Sequence, residues 1–187
     1  TIGKPLPGLN IEIWDEDNKP LPQGKVGQIA VSGPTVMEGY LTEDGPVDAG
    51  LYKTEDGTKW VLTGDLAYID EDGYLWFMGR SKRLVIISGY NVYPGDIEKL
   101  LTELDFIKES CAVQGFDAEG KKLIRLYVVA DGADENAEEY NLQIIELCSA
   151  RLDKFSVPRD IRYIDALPRT RLEKVDFMSL TENEPTK

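Results

Sequence analysis

The 187-residue chain is long enough to bury a core without disulfides or metals, and its 42% apolar residues are typical of a globular protein. A formal net charge of −13 argues against nucleic acid or an anionic membrane as a general partner, and no apolar run is long enough for a transmembrane span. The chain contains no histidine, which excludes Ser-His and Cys-His catalysis and the commonest metal ligand. Any acid–base chemistry must therefore come from carboxylates, lysine, tyrosine or the substrate.

Two cysteines indicate the redox environment of the chain. Cys111 lies in the apolar run “CAVQGF” and Cys148 in a helical pattern, so both are predicted to be buried thiols. Their spacing fits neither a disulfide framework nor a metal site. We therefore expect a reducing, cytoplasmic compartment and no metal ligands in this chain.

The first half of the chain is predicted to be antiparallel β structure. Short alternating stretches are separated by turn signals, and Glu-Asp-Gly at residues 71–73 marks a tight hairpin. We expect a small β subdomain, a distorted barrel or meander, over residues 1–80, and its many exposed edges favour packing on a larger body. The predicted strands are residues 9–14, 27–33, 59–65, 66–70 and 74–79.

The second half, after the basic linker “RSKR”, mixes strands and helices in a β-α-β-β-α-β order. The fold class expected for the whole chain is therefore α+β, with a compact α+β domain over residues 81–187. The predicted elements are a strand at 84–89, a helix at 94–104, strands at 111–116 and 123–130, a helix at 136–152 and a strand at 160–165. In the second helix we expect Asn136 as the N-cap and Leu142, Ile145 and Leu152 on one face.

Asp65 and Arg80, which each end a predicted strand, form the first candidate site. A carboxylate can accept hydrogen bonds from both vicinal hydroxyls of a sugar, and a nearby arginine can donate to the same hydroxyls or to a phosphate. The alternative is that Asp65 caps a turn and Arg80 is a surface charge. The two residues alone leave both interpretations open.

Two further stretches carry residue types that suit a ligand. In “SGYNVYP”, Ser88 and Gly89 would let a ligand approach the backbone closely, although a plain strand-to-helix turn has the same composition. Lys174 lies in “LPRTRLEKVD”, which has neither a helical nor a strand period. It is either one more solvated charge or a cation placed for a negatively charged substrate.

Together and in this order, these stretches resemble the adenylate-forming enzymes, which include acyl-CoA synthetases, firefly luciferase and the adenylation domains of peptide synthetases. The stretch “TGDLAYIDEDGYLWFMGR” resembles the family's Thr-Gly-Asp to Gly-Arg hairpin, and “LVIISGYNVYPGDIE” its strand, glycine turn and helix start. The stretch “LPRTRLEKVD” is similar to the closing Pro-Arg/Lys-Thr and Gly-Lys motif. The resemblance covers residues 1 to about 178. It implies that residues 1–80 are the C-terminal β subdomain of the large AMP-binding domain and that residues 81–187 are the mobile C-terminal lid.

The resemblance also implies a role for each candidate residue. Asp65 would bind the ribose hydroxyls of ATP, and Arg80 the same ribose or the phosphate. Lys82 would be the hinge about which the lid rotates. Ser88 and Gly89 would meet the pantetheine arm of CoA. Lys174 would bridge the carboxylate substrate and the α-phosphate while the acyl-adenylate forms, a step that needs positioning and charge more than a protein base.

One residue departs from the family pattern. The family usually has glycine before the lysine, where this chain has Glu173. If the position requires a positive φ, glutamate strains the backbone by about 1 kcal/mol or more. The Glu173 carboxylate could also pair with Lys174 and weaken its charge.

The implied activity is that of an AMP-forming acyl-CoA synthetase, an acid–thiol ligase that uses ATP, Mg²⁺ and CoA to activate a carboxylic acid, with a fatty acid as the expected substrate. The family's phosphate loop and its magnesium ligand are not in this chain, so both are expected upstream, in a missing N-terminal part. We expect the 187 residues alone to bind nucleotide weakly and to show no turnover. The alternatives are an adenylation enzyme that loads a carrier-protein phosphopantetheine, and a non-catalytic binding module.

Overall fold

The structure is a computed structural model that describes residues 1–43, 45–47 and 50–181. The chain divides into two compact units, Thr1–Lys82 and Arg83–Lys187, each with its own hydrophobic clusters. Residues 182–187, at the end of the expected second domain, lie outside the described residues. Within the described part of the chain, no helix combines the length and the apolar character needed to cross a membrane.

The first unit is the antiparallel β structure that its alternating sequence predicts. One sheet has the strand order β1-β2-β6-β5, and β7 pairs with the remaining part of β6. Strands β3 and β4 form a separate hairpin. Across the described residues the sheet is not closed into a barrel, so the unit has the open form of the expected subdomain. The strands are β1 Asn10–Trp14, β2 Gly27–Ser32, β3 Tyr40–Thr42, β4 Gly45–Val47, β5 Leu51–Lys53, β6 Lys59–Ile69 and β7 Leu75–Arg80.

Strand β6 is one 11-residue strand where the sequence predicts two. Gly64, in its middle, has a φ of +76°, a conformation that glycine adopts without a steric penalty. The strand therefore bends at Gly64 without ending. Strand β2 pairs with β6 on both sides of the bend. On the other edge of β6, residues 59–61 pair with β5 and residues from Asp65 onward pair with β7. This bend is what carries Asp65 onto the β7 side of the sheet.

The core of the first unit lies on both faces of the sheet, because neighbouring residues of a strand point to opposite sides. Ile13 packs in a cluster with Ile29 and Leu75. The next residue, Trp14, packs in a second cluster, with its ring 5.0 Å from that of Trp60. Each of these large buried side chains contributes about 1.5–3 kcal/mol to stability relative to an exposed one.

The second unit has the expected α+β architecture. Its sheet has the order β10-β11-β12, in which β10 and β11 are antiparallel and β11 and β12 are parallel. Helix α2 makes the crossover that a parallel pair requires. The elements are β8 Val85–Ile87, β9 Tyr90–Val92, α1 Pro94–Leu101, β10 Ile107–Phe116, β11 Lys122–Ala130, α2 Ala133–Arg151, β12 Asp160–Tyr163 and α3 Phe177–Leu180.

Helix α2 buries a different face from the one predicted. Ile144 and Cys148, one helical turn apart, are completely buried. Leu142 and Ile145, which lie on the apolar face that the sequence indicates, are 67% and 41% exposed, whereas Leu152 packs partly against the core. The helix carries two apolar stripes, and the stripe that faces the sheet is the one that becomes buried. The periodicity of the helix alone does not show which stripe that is.

The start of helix α2 also differs from the prediction. The helix begins at Ala133, with Gly132 in the N-cap position in a left-handed conformation. Asn136 is therefore inside the first turn, and its side-chain amide donates to the Gly132 carbonyl oxygen at 2.9 Å. Asparagine bonds a nearby backbone carbonyl as readily as it caps a helix, which is why the sequence signal was ambiguous.

The two cysteines are buried free thiols, as predicted. Burial raises the pKa of Cys111 to about 12, with the negative charge of Glu98 acting in the same direction. Burial raises the pKa of Cys148 to about 11. Both side chains are therefore protonated in the folded protein at neutral pH.

Candidate functional site

Asp65 and Arg80 lie directly opposite each other in the β6–β7 pairing. The Arg80 Nε atom is 2.9 Å from Asp65 Oδ1, so the two side chains form a cross-strand ion pair. The Arg80 side chain is 69% exposed and the Asp65 side chain 27% exposed. The pair is therefore open to solvent on the arginine side and partly enclosed on the carboxylate side.

A short network fixes the backbone around Asp65. The Asp65 amide donates to Thr63 Oγ1 at 3.1 Å, and that hydroxyl donates to the Ile29 carbonyl oxygen at 3.2 Å. The Ser81 hydroxyl donates to the Gly64 carbonyl oxygen at 3.1 Å. The two residues before Asp65 are thus tied to strand β2 and to the 3-10 turn after β7, which fixes the backbone that carries the carboxylate.

The Asp65 carboxylate retains hydrogen-bonding capacity. Its Oδ1 atom is buried, and within the described residues it accepts no hydrogen bond, because the contact with Arg80 lacks hydrogen-bond geometry. The positive charge of Arg80 offsets the cost of burying this oxygen, and the rest of the carboxylate can still accept hydrogen bonds from a ligand. A pair of sugar hydroxyls would donate such hydrogen bonds, which is the chemistry that the sequence analysis expected at Asp65.

Lys82 lies in a 3-10 turn, Ser81–Arg83, and its side chain is exposed. It is the last residue of the first compact unit. Within the described part of the chain, Lys82 makes no ion pair. Nothing in its described surroundings requires a lysine for stability.

Arg83, which the sequence indicates only as part of a basic linker, is the centre of a hydrogen-bond network. The Arg83 guanidinium binds the Glu98 carboxylate with two hydrogen bonds, one of 3.0 Å to Oε2, and reaches the Ala112 carbonyl oxygen at 3.3 Å. Glu98 Oε1 also accepts the Ala112 amide at 2.9 Å. Burial opposes the charge of Arg83, but the hydrogen bond and charge of Glu98 outweigh it and hold the pKa of Arg83 above its ordinary value. The first residue of the second unit is thereby fixed to helix α1 and strand β10.

Ser88 and Gly89 form a two-residue hairpin turn between β8 and β9. Their φ angles are +51° and +82°, the combination of a type I′ turn, which favours glycine or asparagine. Both residues are exposed. The stretch is thus a tight hairpin, not the single strand followed by a strand-to-helix turn that its sequence predicts.

A cavity of about 290 Å³ lies beside this hairpin and was not predicted. Ser88 lines it, together with the cationic residues Lys121, Lys122 and Arg159. Phe155 forms part of its wall and stacks on the ring of Tyr90 at 4.4 Å between centroids. Three cations around one cavity, in a chain of net charge −13, make it a favourable place for an anion with an apolar or aromatic part. The adjacent residues Lys121 and Lys122 are visible in the sequence as a pair of cations. Their proximity to Arg159 and to the hairpin at Ser88 appears only in the folded structure.

Lys174 ends a five-residue turn, residues 170–174, at the tip of a short hairpin. The Thr170 amide donates to the Lys174 carbonyl oxygen at 2.8 Å, and the Glu173 amide donates to the Thr170 carbonyl oxygen at 3.0 Å. Arg169 and Val175 form the bridge below the turn. The Lys174 side chain is exposed and makes no ion pair within the described residues, neither with Glu173 nor with any other carboxylate. The structure therefore presents a free ammonium group on a defined backbone.

Glu173 has a φ of +59°, in the left-handed region that disfavours most side chains. The same turn, with the same two backbone hydrogen bonds, begins at four other residues in the described chain: Asp15, Thr54, Asp70 and Asp117. The left-handed fourth position in those turns is taken by Asn18, Gly57, Gly73 and Gly120. Glu173 thus occupies a position that this protein otherwise gives to glycine or asparagine.

Comparison with known proteins gives the family. The family model described as AMP-binding enzyme matches residues 1–41, and the one described as AMP-binding enzyme C-terminal domain matches residues 96–174. The second match ends at Lys174. Asp65, Arg80 and Ser88 lie between the two matched ranges.

Relatives align along nearly the whole chain. A methyl-dioxo-octahydro-indenyl-propanoyl:CoA ligase of Rhodococcus jostii is 36% identical over 94% of this chain and 31% of its own length. A long-chain-fatty-acid–CoA ligase of Yersinia pestis is 31% identical over 98% of this chain and 31% of its own length. The o-succinylbenzoate CoA synthetase of Bacillus subtilis, solved with an acyl-adenylate intermediate, has a TM-score of 0.79 and 28% identity, over 99% of this chain and 36% of that one. The same enzyme, solved with ATP and a magnesium ion, has a TM-score of 0.74 and 29% identity, over 92% of this chain and 34% of that one.

These matches, together with the architecture of the two units, define the class. The chain belongs to the adenylate-forming family of AMP-binding enzymes and carries the C-terminal domain of that family. It spans about a third of the length of the curated relatives that it matches.

Proposed function

We propose that this chain is the C-terminal part of an ATP-dependent, AMP-forming acyl-CoA synthetase. The observation that carries the proposal is the exposed, unpaired Lys174 at the tip of a defined turn, at the end of a segment that matches the family's C-terminal domain. CoA ligases that align with 94% and 98% of the chain support the same assignment. The reaction joins a carboxylate to the AMP moiety of ATP with release of pyrophosphate, and then transfers the acyl group to the thiol of CoA with release of AMP.

In this proposal Asp65 binds the ribose of ATP. The carboxylate, whose side chain is 27% exposed, accepts from two vicinal hydroxyls. Arg80, fixed opposite Asp65, donates to the same ribose or to a phosphate. The pair thus orients the nucleotide.

Lys174 supplies charge to the adenylation step. The carboxylate substrate and the α-phosphate are both anions, so a compact ammonium group near both offsets their repulsion as the new bond forms. At 4 Å the attraction between two unit charges is about 1 kcal/mol in water and about 4 kcal/mol near a protein surface. No protein base is required, because the substrate carboxylate is already ionised at neutral pH.

The second half-reaction uses the hairpin at Ser88 and Gly89, where the pantetheine arm of CoA approaches the backbone. The adjacent cavity supports this assignment, because Lys121, Lys122 and Arg159 can face the phosphates of CoA while Phe155 offers a stacking surface for its adenine. Lys82 serves as the hinge of the C-terminal domain. Its exposed position at the end of the first unit supports that role.

Magnesium is assigned to residues outside this chain. Within the described residues there is no group of three or more His, Cys, Asp or Glu side chains that could hold a metal ion. The ion would reach this chain only with the phosphates of ATP. No step proposed for the residues described above depends on a metal ligand among them.

We propose a fatty acid as the carboxylate, because a relative that aligns over most of this chain is a long-chain-fatty-acid–CoA ligase. The missing N-terminal part would hold the acyl pocket. The buried, unpaired thiols Cys111 and Cys148 support a reducing, cytoplasmic location.

The test uses the complete polypeptide that contains these residues, with ATP, magnesium, a panel of fatty acids and CoA. Acyl-CoA and AMP are identified by mass. Lys174→Ala is expected to lower the rate of adenylation by about 10²–10³-fold, as the loss of one transition-state donor does elsewhere. Arg171→Ala, an exposed cation of the same turn with no assigned role, is the matched control.

Equal activity of wild type and Lys174→Ala would contradict the role of Lys174. Adenylate that accumulates without forming acyl-CoA would indicate a carrier-protein acceptor. The isolated 187 residues are expected to bind nucleotide weakly and to give no product. Synthesis of acyl-adenylate by them would contradict the proposal that catalysis also requires residues outside this chain.

A further inference from the structure

Arg169 connects the Lys174 turn to the body of the second unit. Its Nη2 atom donates to Glu109 Oε1 on strand β10, and its Nη1 atom lies 3.5 Å from the Glu173 carbonyl oxygen. That carbonyl belongs to the peptide bond that leads into Lys174. A single guanidinium therefore joins a strand of the sheet to the backbone that carries the lysine.

The rest of the turn has no comparable support. Its base is anchored, because Leu167 is buried with Cys111 and the Asp176 amide donates to the Pro168 carbonyl oxygen at 2.8 Å. Residues 170–174 are exposed, and within the described part of the chain no side chain other than Arg169 reaches them from outside the turn. The left-handed φ of Glu173 also works against this backbone conformation. Arg169, held by Glu109, therefore adds a restraint from the sheet to the turn's own two backbone hydrogen bonds and to the bridge at its base.

We propose that Arg169 and Glu109 are positioning residues for Lys174. Arg169 restrains the peptide bond before Lys174, and Glu109 holds the guanidinium in the orientation that reaches this bond. The inference rests on the proposed function only for its catalytic consequence. The restraint itself is a property of the turn and can be measured without any substrate.

A purely structural role makes a different prediction. The two side chains of the pair are 38% and 39% exposed, and exposed ion pairs add little to folding stability. A structural role thus predicts almost no effect of substitution on either half-reaction. A positioning role predicts a selective loss of adenylation, because small displacements of a catalytic group lower the rate by up to about 100-fold.

The experiment compares Arg169→Gln, Arg169→Lys and Glu109→Gln in the complete polypeptide. Arg151→Gln is the matched control, because Arg151 forms an exposed ion pair with Glu103 in the same unit but does not touch the Lys174 turn. Hydrogen–deuterium exchange of the peptide spanning residues 168–176 measures the restraint. The rates of adenylation, and of acyl transfer from supplied acyl-adenylate to CoA, measure its consequence.

We expect exchange of this peptide to be about fivefold faster in Arg169→Gln and Glu109→Gln, with kcat for adenylation falling about 10- to 100-fold and acyl transfer unchanged. Arg169→Lys keeps the ion pair but has no fork with which to reach Glu173, so its peptide should also exchange faster. Exchange at the wild-type rate in Arg169→Gln, or an equal loss of both half-reactions, would overturn the proposal. Faster exchange with unchanged adenylation would overturn the catalytic half of it, and the Lys174→Ala variant then shows independently whether the proposed function has failed as well.

Discussion

Replacing Glu173 by glycine should stabilise the second unit, although glycine is normally the destabilising choice. The φ of +59° costs a side-chain-bearing residue about 1–2 kcal/mol. Glycine removes this strain but adds about 0.5–1 kcal/mol of backbone entropy to the unfolded chain. At the midpoints of these ranges the expected net gain is about 0.75 kcal/mol, which for a unit of roughly 100 residues is about 3–6 °C in Tm.

The two units can be followed separately in one urea titration. All three tryptophans, Trp14, Trp60 and Trp76, lie in the first unit, so tryptophan fluorescence reports its unfolding. Circular dichroism at 222 nm follows the α-helices, which in the described chain all lie in the second unit. Glu173→Gly should move the circular dichroism transition to higher urea and leave the fluorescence transition unchanged.

Two further variants separate backbone strain from charge. Glu173→Gln removes the negative charge but keeps the side chain, so it should not reproduce the gain. Gly73→Ala places a side chain in the equivalent position of the turn between β6 and β7, where a Cβ atom would meet nothing within 4 Å. It should lower the fluorescence midpoint by the equivalent of about 1 kcal/mol through backbone strain alone. A Glu173→Gly protein no more stable than wild type, or a gain matched by Glu173→Gln, would refute the strain argument.

Two other predictions concern the nucleotide site and pH. In the complete polypeptide, Asp65→Asn should raise KM for ATP about 10- to 100-fold, the loss of charged hydrogen bonds to the ribose, whereas Asp72→Asn, an exposed control in the adjacent turn, should not. An unchanged KM in steady-state assays would remove Asp65 from the site. The buried thiols have pKa values of about 11 and 12, above the ordinary value of 9.0 for the unfolded chain, so their contribution to stability is complete below pH 9 and is lost as pH rises above it. In urea unfolding, the free energy of unfolding should fall by up to about 1.4 kcal/mol per pH unit per thiol between pH 9 and 11. The slope should be smaller in Cys148→Ala. An equal slope in that variant would show that the Cys148 thiol does not cause the pH dependence.

The parts of the fold that sequence alone predicted are those set by local pattern. Alternation predicted β1, β2, β6 and β7 of the first unit but not the short strands β3, β4 and β5, and the succession of elements indicated an α+β class. The predictions were wrong where the local structure depends on residues that are distant in sequence. The bend at Gly64 resembles the end of a strand until β7 is present to pair with Asp65, and the buried stripe of α2 depends on which side of the helix the sheet covers.

The candidate site divides in the same way. Asp65, Ser88 and Lys174 lie in short stretches whose order is informative, so the resemblance to the family could name them from the sequence alone. The Arg83–Glu98 network and the cationic cavity join residues that are far apart in sequence. Arg159, for example, reaches Lys121 and Lys122 only after β11 and β12 have paired.

The recurring five-residue turn makes Lys174 less exceptional than its expected role suggests. The same backbone conformation occurs five times in the described chain with different residues at the fifth position. These residues are Lys19, Thr58, Tyr74, Lys121 and Lys174. Two of these lysines lie in distinct environments. Lys121 lines the cationic cavity, and Lys174 follows the peptide bond that Arg169 contacts. The turns that begin at Thr54 and Asp70 have uncharged residues at this position, so a single substitution there would install a cation without a new fold.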